Sequence, residues 1–241
     1  MIKNILITGG AGYIGSHVVE FLINKKKNIF IVDNLSTGFK KLLNKKAYFT
    51  NLNILNTSKL KKIIIDNKID SVIHLAGSLS IGVGERYPKL YYKNNVLGTK
   101  SLLNACSNSS VKNLIFSSTA AVYKEGQKIV SEKSLISPKS VYGKTKLLAE
   151  KQIIINCKKM KINYGILRYF NVCGASPSGK IGIISKGDHL FKNISAEVMK
   201  MKPLIKIYGN DYNTPDGTAI RDFIHVSDLA EVHYQVLKII S

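Results

Sequence analysis

Tyr142 and Lys146 stand four residues apart in Pro138-Lys139-Ser140-Val141-Tyr142-Gly143-Lys144-Thr145-Lys146, at the head of a stretch of helical character that runs through Ile153 to about Lys158. That spacing puts both side chains on one helix face. A phenol, with an ordinary pKa of about 10, is a poor base near neutrality. An ammonium beside it favours the phenolate and lowers that pKa toward the working range. The two are therefore a candidate proton-transfer couple. A Y-x-x-x-K spacing taken alone is common on ordinary helix surfaces, so its weight depends on what surrounds it. One neighbour in the sequence is Asn113-Leu114-Ile115-Phe116-Ser117-Ser118-Thr119, an apolar run ending in three hydroxyl residues. Hydroxyls at the end of a sheet strand waste a buried position unless they hydrogen-bond something, so this cluster suits contacts to a ligand.

The second neighbour is the start of the chain. Ile5-Leu6-Ile7-Thr8 has strand character, enters a turn with Gly9, Gly12 and Gly15 spaced G-x-x-G-x-x-G, and leaves it in a helix opening at Tyr13 or Ile14, with apolar Val18, Val19, Phe21 and Leu22. A tight turn and a close approach of backbone N–H groups to a pyrophosphate both need residues without a Cβ. The positive end of the helix would face that phosphate. A second apolar run, Ile29-Phe30-Ile31-Val32, follows at βαβ distance and ends at Asp33, 18 positions after Gly15. An acid there suits an adenosine ribose 2′-hydroxyl and would repel a 2′-phosphate, which favours NAD over NADP. A merely structural glycine turn leaves the placement of Asp33 unexplained.

Strand and helix signals alternate along most of the chain, which predicts an α/β fold with a doubly wound parallel sheet, Rossmann-like, and helices on both faces. Further strands are expected at Ala47-Tyr48-Phe49 and at Ser71-Val72-Ile73-His74-Leu75-Ala76-Gly77, with helices from about Ser58 to Asn67 and about Leu90 to Ser107. Ligands of open α/β sheets lie off the carboxyl ends of the strands, so Ala76 and Gly77 are cofactor candidates. His74, inside an apolar run, reads as a satisfied core histidine rather than a catalyst. The expected division is a cofactor-binding domain over 1–172 and an incomplete smaller substrate-binding region over 173–241, with a returning segment 218–241.

Composition narrows the function classes. The 241 residues suffice for a proper core. No apolar run approaches the roughly 18 residues of a membrane span, and the N-terminus passes through one lysine straight into a first strand, unlike a signal peptide. The scattered Cys106, Cys157 and Cys173 and five histidines show no ligand spacing, so no metal is expected. The formal charge of +21 invites a nucleic-acid reading, yet only Arg86, Arg168 and Arg221 of the 36 basic residues are arginines. Phosphate and groove recognition lean on arginine's planar fork, so a solvated lysine surface is the better reading, and no nucleic-acid partner is expected.

With these residues in view, the chain resembles the extended short-chain dehydrogenase/reductase family, and within it the UDP-glucose 4-epimerases. The resemblance extends over essentially the whole chain. It rests on Thr8 to His17, Val32 to Ser36, Tyr91 to Val96, Phe116 to Tyr123, Tyr142 to Lys146 and Arg168 to Asn171. Its most specific parts are Ile207 to Thr218 and Arg221 to Ala230. The resemblance implies a reaction without net redox change, in which Tyr142 takes the proton of a sugar 4-hydroxyl, Thr119 hydrogen-bonds the 4-oxygen, and hydride passes to NAD and back. Lys146 would tune Tyr142 and hold the nicotinamide ribose. It implies NAD contacts at Tyr13, Ile14, Asp33, Asn34 and Ser36, at Asn53 and Ile54, at Leu75 to Leu79 with Ala76, Gly77 and Ser78 between, and at Asn94 and Phe170. Contacts to a UDP-hexose would come from Asn171, His189, Leu190, Tyr208 and Arg221. A rare arginine in a motif-rich loop also suits bidentate pairing with a diphosphate.

Departures from the family pattern are Asn53 for a usual aspartate, Leu79 for a polar residue of some members, Val83-Gly84 for Glu-Ser, Lys124 for glycine and Lys192 for proline. The family continues for roughly another quarter of its length beyond Ser241, with one more strand and residues closing over the hexose. A site without that part would hold the sugar in a wet, open cleft. The alternatives are a related nucleotide-sugar epimerase or dehydratase, and a catalytically silent NAD-binding protein. A dehydratase needs an acid pair near the hydroxyl strand, where this chain has Thr119-Ala120. Cytoplasmic residence is expected for such a substrate. The resemblance also implies a homodimer through the segments about Leu90 to Ser107 and Tyr142 to Lys158.

Overall fold

A computed structural model describes residues 2–127, 129–184, 189–207 and 209–241. Six parallel strands form one sheet: β1 (Asn4–Thr8), β2 (Asn28–Asp33), β3 (Tyr48–Asn51), β4 (Ser71–His74), β5 (Asn113–Thr119) and β6 (Asn163–Tyr169). Their order across the sheet is β3-β2-β1-β4-β5-β6. The chain winds outward from β1 to one edge, crosses back, and winds to the other edge. Where it reverses, between β1 and β4, Thr8 sits in register with Val32 on one side and His74 on the other. A crevice opens at the carboxyl ends of strands at such a reversal.

The central strands are apolar almost throughout because both faces are covered. One face carries α2 (Thr57–Asp66), α5 (Gly98–Cys106) and α6 (Val141–Met160), packed through Leu6, Val72, Leu114, Phe116, Leu60, Leu102 and Ile153. The other carries α1 (Tyr13–Asn24) and α8 (Val226–Ile239), where Ile5, Ile7, Ile73 and Ile115 meet Val18, Leu22, Ala230 and Leu237. Alternate residues of β1, β4 and β5 thus serve opposite cores. The segment after β6 forms β7 (Asn171–Cys173), then α7 (Leu190–Val198), and comes back as β8 (Phe223–His225), which pairs in parallel with β7 and leads into α8.

The element order of the doubly wound reading holds, with two differences. The third strand lies at Tyr48–Asn51, because it pairs with Phe30 to Asp33 of β2 and so extends to the end of that strand. The expected helix over Leu90–Ser107 is interrupted: α3 (Ile81–Arg86) and α4 (Pro88–Tyr91) come first, then a π-helical turn over Tyr92–Leu97, then α5. The wide turn allows two successive asparagines to reach one loop residue, as shown below. His74 is a satisfied core residue, as expected. The Thr99 hydroxyl donates to the Asn95 carbonyl at 2.6 Å and therefore accepts from His74 Nε2 at 3.0 Å, which leaves Nδ1 to accept from Thr8 Oγ1 at 2.7 Å. Burial, helped by the nearby Lys146 charge, lowers its pKa to about 3.

The glycine turn is fixed by space. Gly9 has a φ of +77°, and a Cβ on Gly15 would lie 2.2 Å from the Gly9 carbonyl oxygen and 2.8 Å from Gly10 Cα, both backbone atoms that cannot swing aside. Gly15→Ala is expected to cost about 1–3 kcal/mol, the range for overpacking a rigid site, read as a lower urea midpoint. An unchanged midpoint would mean that the turn has slack.

Candidate active site

The amino end of α6 is pressed against the end of β5. Ser140 caps the helix, its hydroxyl accepting from the Gly143 N–H at 3.0 Å, and Glu85 of α3 accepts from the Val141 N–H at 2.7 Å. A Cβ on Gly143 would stand 2.4 Å from the Ala121 carbonyl oxygen. This close approach brings Tyr142 beside Thr119, whose hydroxyl is near enough to act on the phenol's pKa. Thr119, in turn, accepts from the Ala121 N–H at 3.1 Å. Lys146 is 3 % exposed, and its ammonium lies 4.3 Å from the centre of the Phe116 ring. Among the described residues it has no hydrogen-bond acceptor, so a buried cation is left for a ligand oxygen to satisfy.

The electrostatics differ from the expectation. Burial is the largest influence on Tyr142 and pushes its pKa up to about 12, against the Thr119 hydroxyl, which lowers it. Burial also brings the pKa of Lys146 down to about 7, with Glu150 opposing. In the protein alone Tyr142 is a neutral phenol, and Lys146 titrates near neutrality.

The hydroxyl cluster also divides differently. Ser117 hydrogen-bonds Tyr169, and Ser118 donates to Glu150, so both are consumed inside the protein. Only Thr119 is left beside Tyr142. Strand alternation and the partners on β6 and α6 decide this, and neither is visible in the local sequence.

The cofactor candidates line the reversal of the sheet. Asp33, at the end of β2 and nearly buried, accepts from the Ala11 N–H at 3.0 Å and the Leu35 N–H at 2.8 Å, which fixes its carboxylate beside the glycine turn. Asn34 accepts from the Ser36 N–H at 3.1 Å, and Asn53 from the Leu55 N–H at 3.0 Å, so each holds a small loop at the ends of β2 and β3. Ile54 packs on Gly98, where a Cβ would meet its side chain at 2.6 Å. Leu75, Ala76 and Gly77 follow β4, and a Cβ on Gly9 would strike Ala76 N at 2.6 Å. Tyr13, opening α1 beside Ile14, donates to the Gly174 carbonyl at 2.7 Å and so ties the turn to the chain after β7.

From the π turn, Asn94 donates to Ser78 Oγ at 2.9 Å, while Asn95 accepts from the Ser78 N–H at 2.7 Å and donates to Thr145 of α6 at 3.0 Å. Ser78 falls within the stretch 75–79 expected to contact the cofactor, whereas Asn95 was not singled out in the sequence. The doubled asparagine before an apolar helix is the signal that could have marked it. Leu79 is exposed. The residues therefore form a cradle with small residues where backbones converge, a fixed acid and an unsatisfied buried cation, which fits a dinucleotide.

On the other side of the site, Asn171 donates from its side chain to the Asp222 carbonyl at 3.1 Å, which brings it beside Arg221. The Arg221 guanidinium is exposed, held by its bond to the Ile220 carbonyl at 2.8 Å. His189 precedes α7 and Leu190 opens it, and α7 reaches β8 through an edge-on contact of Phe191 with Phe223, 5.0 Å between ring centres. Asn171 and Arg221 thus lie together before β8, and α7, which His189 and Leu190 begin, packs on that strand. Phe170, between β6 and β7, is exposed. Tyr208 lies outside the described residues. No group of three or more His, Cys, Asp or Glu side chains among the described residues could hold a metal ion, and no helix among them is long and apolar enough to cross a membrane.

A model of the NAD dependent epimerase/dehydratase family matches residues 5–240. A UDP-glucose 4-epimerase of Yersinia enterocolitica is 43% identical over 247 residues, covering 97% of this chain and 73% of that protein. A crystal structure of UDP-glucose 4-epimerase from Brucella ovis in complex with NAD superimposes with a TM-score of 0.92 at 36% identity, over 98% of this chain and 73% of that one. Another, from Bifidobacterium longum in complex with NAD+ and UDP, gives 0.90 at 32% identity, over 99% and 75%.

The position of Asp33 makes a prediction about cofactor choice. Asp33→Asn is expected to weaken NAD binding about tenfold, the worth of one charged hydrogen bond, and to narrow the preference for NAD over NADP in calorimetric titrations. Unchanged affinity for both cofactors would remove Asp33 from the adenosine ribose site.

Proposed function

The chain belongs to the NAD dependent epimerase/dehydratase family, and from that premise we propose that it interconverts UDP-glucose and UDP-galactose by reversible oxidation at C4 through a 4-keto sugar. The observation that carries this reading is the placement of the half-buried Tyr142 beside Thr119 and the buried Lys146, at the mouth of the crevice. The identities and complexes of the relatives support it.

Bound NAD would supply the acceptor, and then the donor, of the C4 hydride. The chain's own residues do the rest. Asp33 holds the adenosine ribose, and the Gly9–Gly15 turn with the amino end of α1 holds the pyrophosphate. The Lys146 ammonium takes a ribose hydroxyl as the acceptor it lacks. Tyr142, as phenolate, removes the proton of the 4-hydroxyl and returns it on the opposite course, while Thr119 steadies the 4-oxygen. Its phenol must be lowered from about 12 for this, which assigns the lowering to positive charge brought by the bound cofactor next to Lys146. Asn171, His189, Leu190, Tyr208 and Arg221 hold the UDP-hexose, with Arg221 pairing with the diphosphate.

A dehydratase of the same family would need an acid pair by the hydroxyl strand, where this chain has Thr119 and Ala120. The reaction belongs in the cytoplasm, with its nucleotide-sugar substrate. The protein pairs as a homodimer through the outer faces of the π turn with α5 and of α6, where Leu97 of the turn and Leu148 and Ile155 of α6 are exposed. A monomeric mass by light scattering would remove that last element.

The reading predicts that purified protein with NAD converts UDP-galactose to UDP-glucose, and that Tyr142→Phe lowers the rate by about 10²–10⁴-fold, the span of a lost general acid–base group. Bound NAD without conversion would reduce the proposal to a silent cofactor-binding protein. Full activity of the variant would exclude Tyr142 as the base.

A further inference from the structure

Glu150 is 1 % exposed, an ion-paired carboxyl group deep in the core. It lies one helix turn beyond Lys146 and two beyond Tyr142 on α6. Arg168 of β6 clamps it with both ends of the guanidinium fork, Nε to Oε1 at 3.0 Å and Nη2 to Oε2 at 2.6 Å. Ser118 of β5, the residue before Thr119, donates its hydroxyl to Oε1. The guanidinium also donates to the Tyr123 hydroxyl at 3.3 Å and lies 5.1 Å from that ring's centre. One carboxylate therefore joins the strand that carries Thr119, the strand beside it and the helix that carries Tyr142 and Lys146. A buried ion pair is a poor source of net stability compared with apolar packing, so its presence points to geometry that apolar packing would leave loose.

We infer that Glu150, held by Arg168 and Ser118, is the positioning residue of the site: it locks β5 to α6 so that Thr119 meets Tyr142, and it presents the negative charge that the Lys146 ammonium faces. This rests on the functional reading above. The surroundings of Lys146 make the electrostatic part specific. From β4 it meets His74, which burial keeps neutral, and from β5 the uncharged Phe116 ring. On its own helix Tyr142 is a neutral phenol, and Glu150 is the group that raises the Lys146 pKa against burial. Arg168, from β6, is spent on Glu150. Without the carboxylate, Lys146 loses its proton at lower pH. Any function that needs the ammonium then fails earlier as pH rises.

The test compares Glu150→Gln and Ser118→Ala with wild type by three readouts: the Lys146 Nζ titration by ¹⁵N NMR, NAD affinity by calorimetry from pH 6 to 9, and kcat and KM for UDP-galactose. Glu150→Gln is expected to move the Lys146 midpoint down by about one pH unit, with the alkaline fall of NAD affinity and of kcat moving alongside it. It should also lower kcat by about ten- to a hundredfold, the cost of slight misplacement, with KM changed less than about twofold. Ser118→Ala keeps the ion pair and with it the fold, and is expected to lower kcat by about threefold or more at an unmoved Lys146 midpoint. An unmoved midpoint in Glu150→Gln overturns the electrostatic part. Unchanged kcat in both variants overturns the positioning part. If Glu150→Gln does not fold, the kcat of Ser118→Ala decides the positioning part, and Glu150→Asp, which keeps the charge, replaces it for the titration: a midpoint that stays with wild type supports the charge as the cause, and one that drops overturns it. A wild-type protein that binds no NAD refutes the functional reading, while the NMR titration still judges the inference.

Discussion

Everything in this molecule is arranged around the close approach of backbone to backbone where the sheet reverses direction. Gly9 comes so near Ala76, and Gly15 so near Gly9, that neither position has space for a Cβ. That approach lets α1 start directly at the end of β1 and leaves its first N–H groups facing the crevice. Asp33 then receives its two backbone donors from residues of that same turn and of the loop after β2. Tyr13 passes the constraint on to Gly174, beyond β7. The cofactor side is thus set by backbone geometry before any side-chain chemistry is chosen.

The chemistry is set by burial. Tyr142, Lys146 and His74 are all driven toward their neutral forms by loss of water. The buried Glu150 and Arg168 are instead matched to each other, 2.6 Å at the shortest, with Ser118 and Tyr123 completing their hydrogen bonds. A site of this kind is quiet on its own. In the proposed mechanism it becomes basic when a ligand brings positive charge, which would couple the reactivity of the tyrosine to occupancy of the crevice. The nucleotide-sugar side is built differently, around a three-residue strand pair and a helix with no fully buried residue, so its side chains are placed by fewer contacts.

Much of this was legible in the sequence, for identifiable reasons. The glycine spacing, the strand after it and Asp33 are local, and local patterns fix a βαβ unit. Tyr142 and Lys146 share a helix face by spacing alone, and His74 was readable as core from the apolar run around it. What failed was long-range. Ser117 and Ser118 turn away from the ligand because their partners come from β6 and α6, 52 and 32 residues later. The π turn at Tyr92–Leu97 depends on a loop after β4 that the asparagines must reach. The pKa of Tyr142 depends on how deeply α6 sits, which a spacing rule does not report.

The most direct test of the account follows the hydrogen itself. UDP-galactose deuterated at C4, incubated with the protein and NAD in ordinary water, should give UDP-glucose that keeps its deuterium at C4, because the hydride leaves to the bound cofactor and returns from it without exchanging with water. Label lost to solvent, or product formed without passage of the C4 hydrogen, would contradict an oxidation at that carbon.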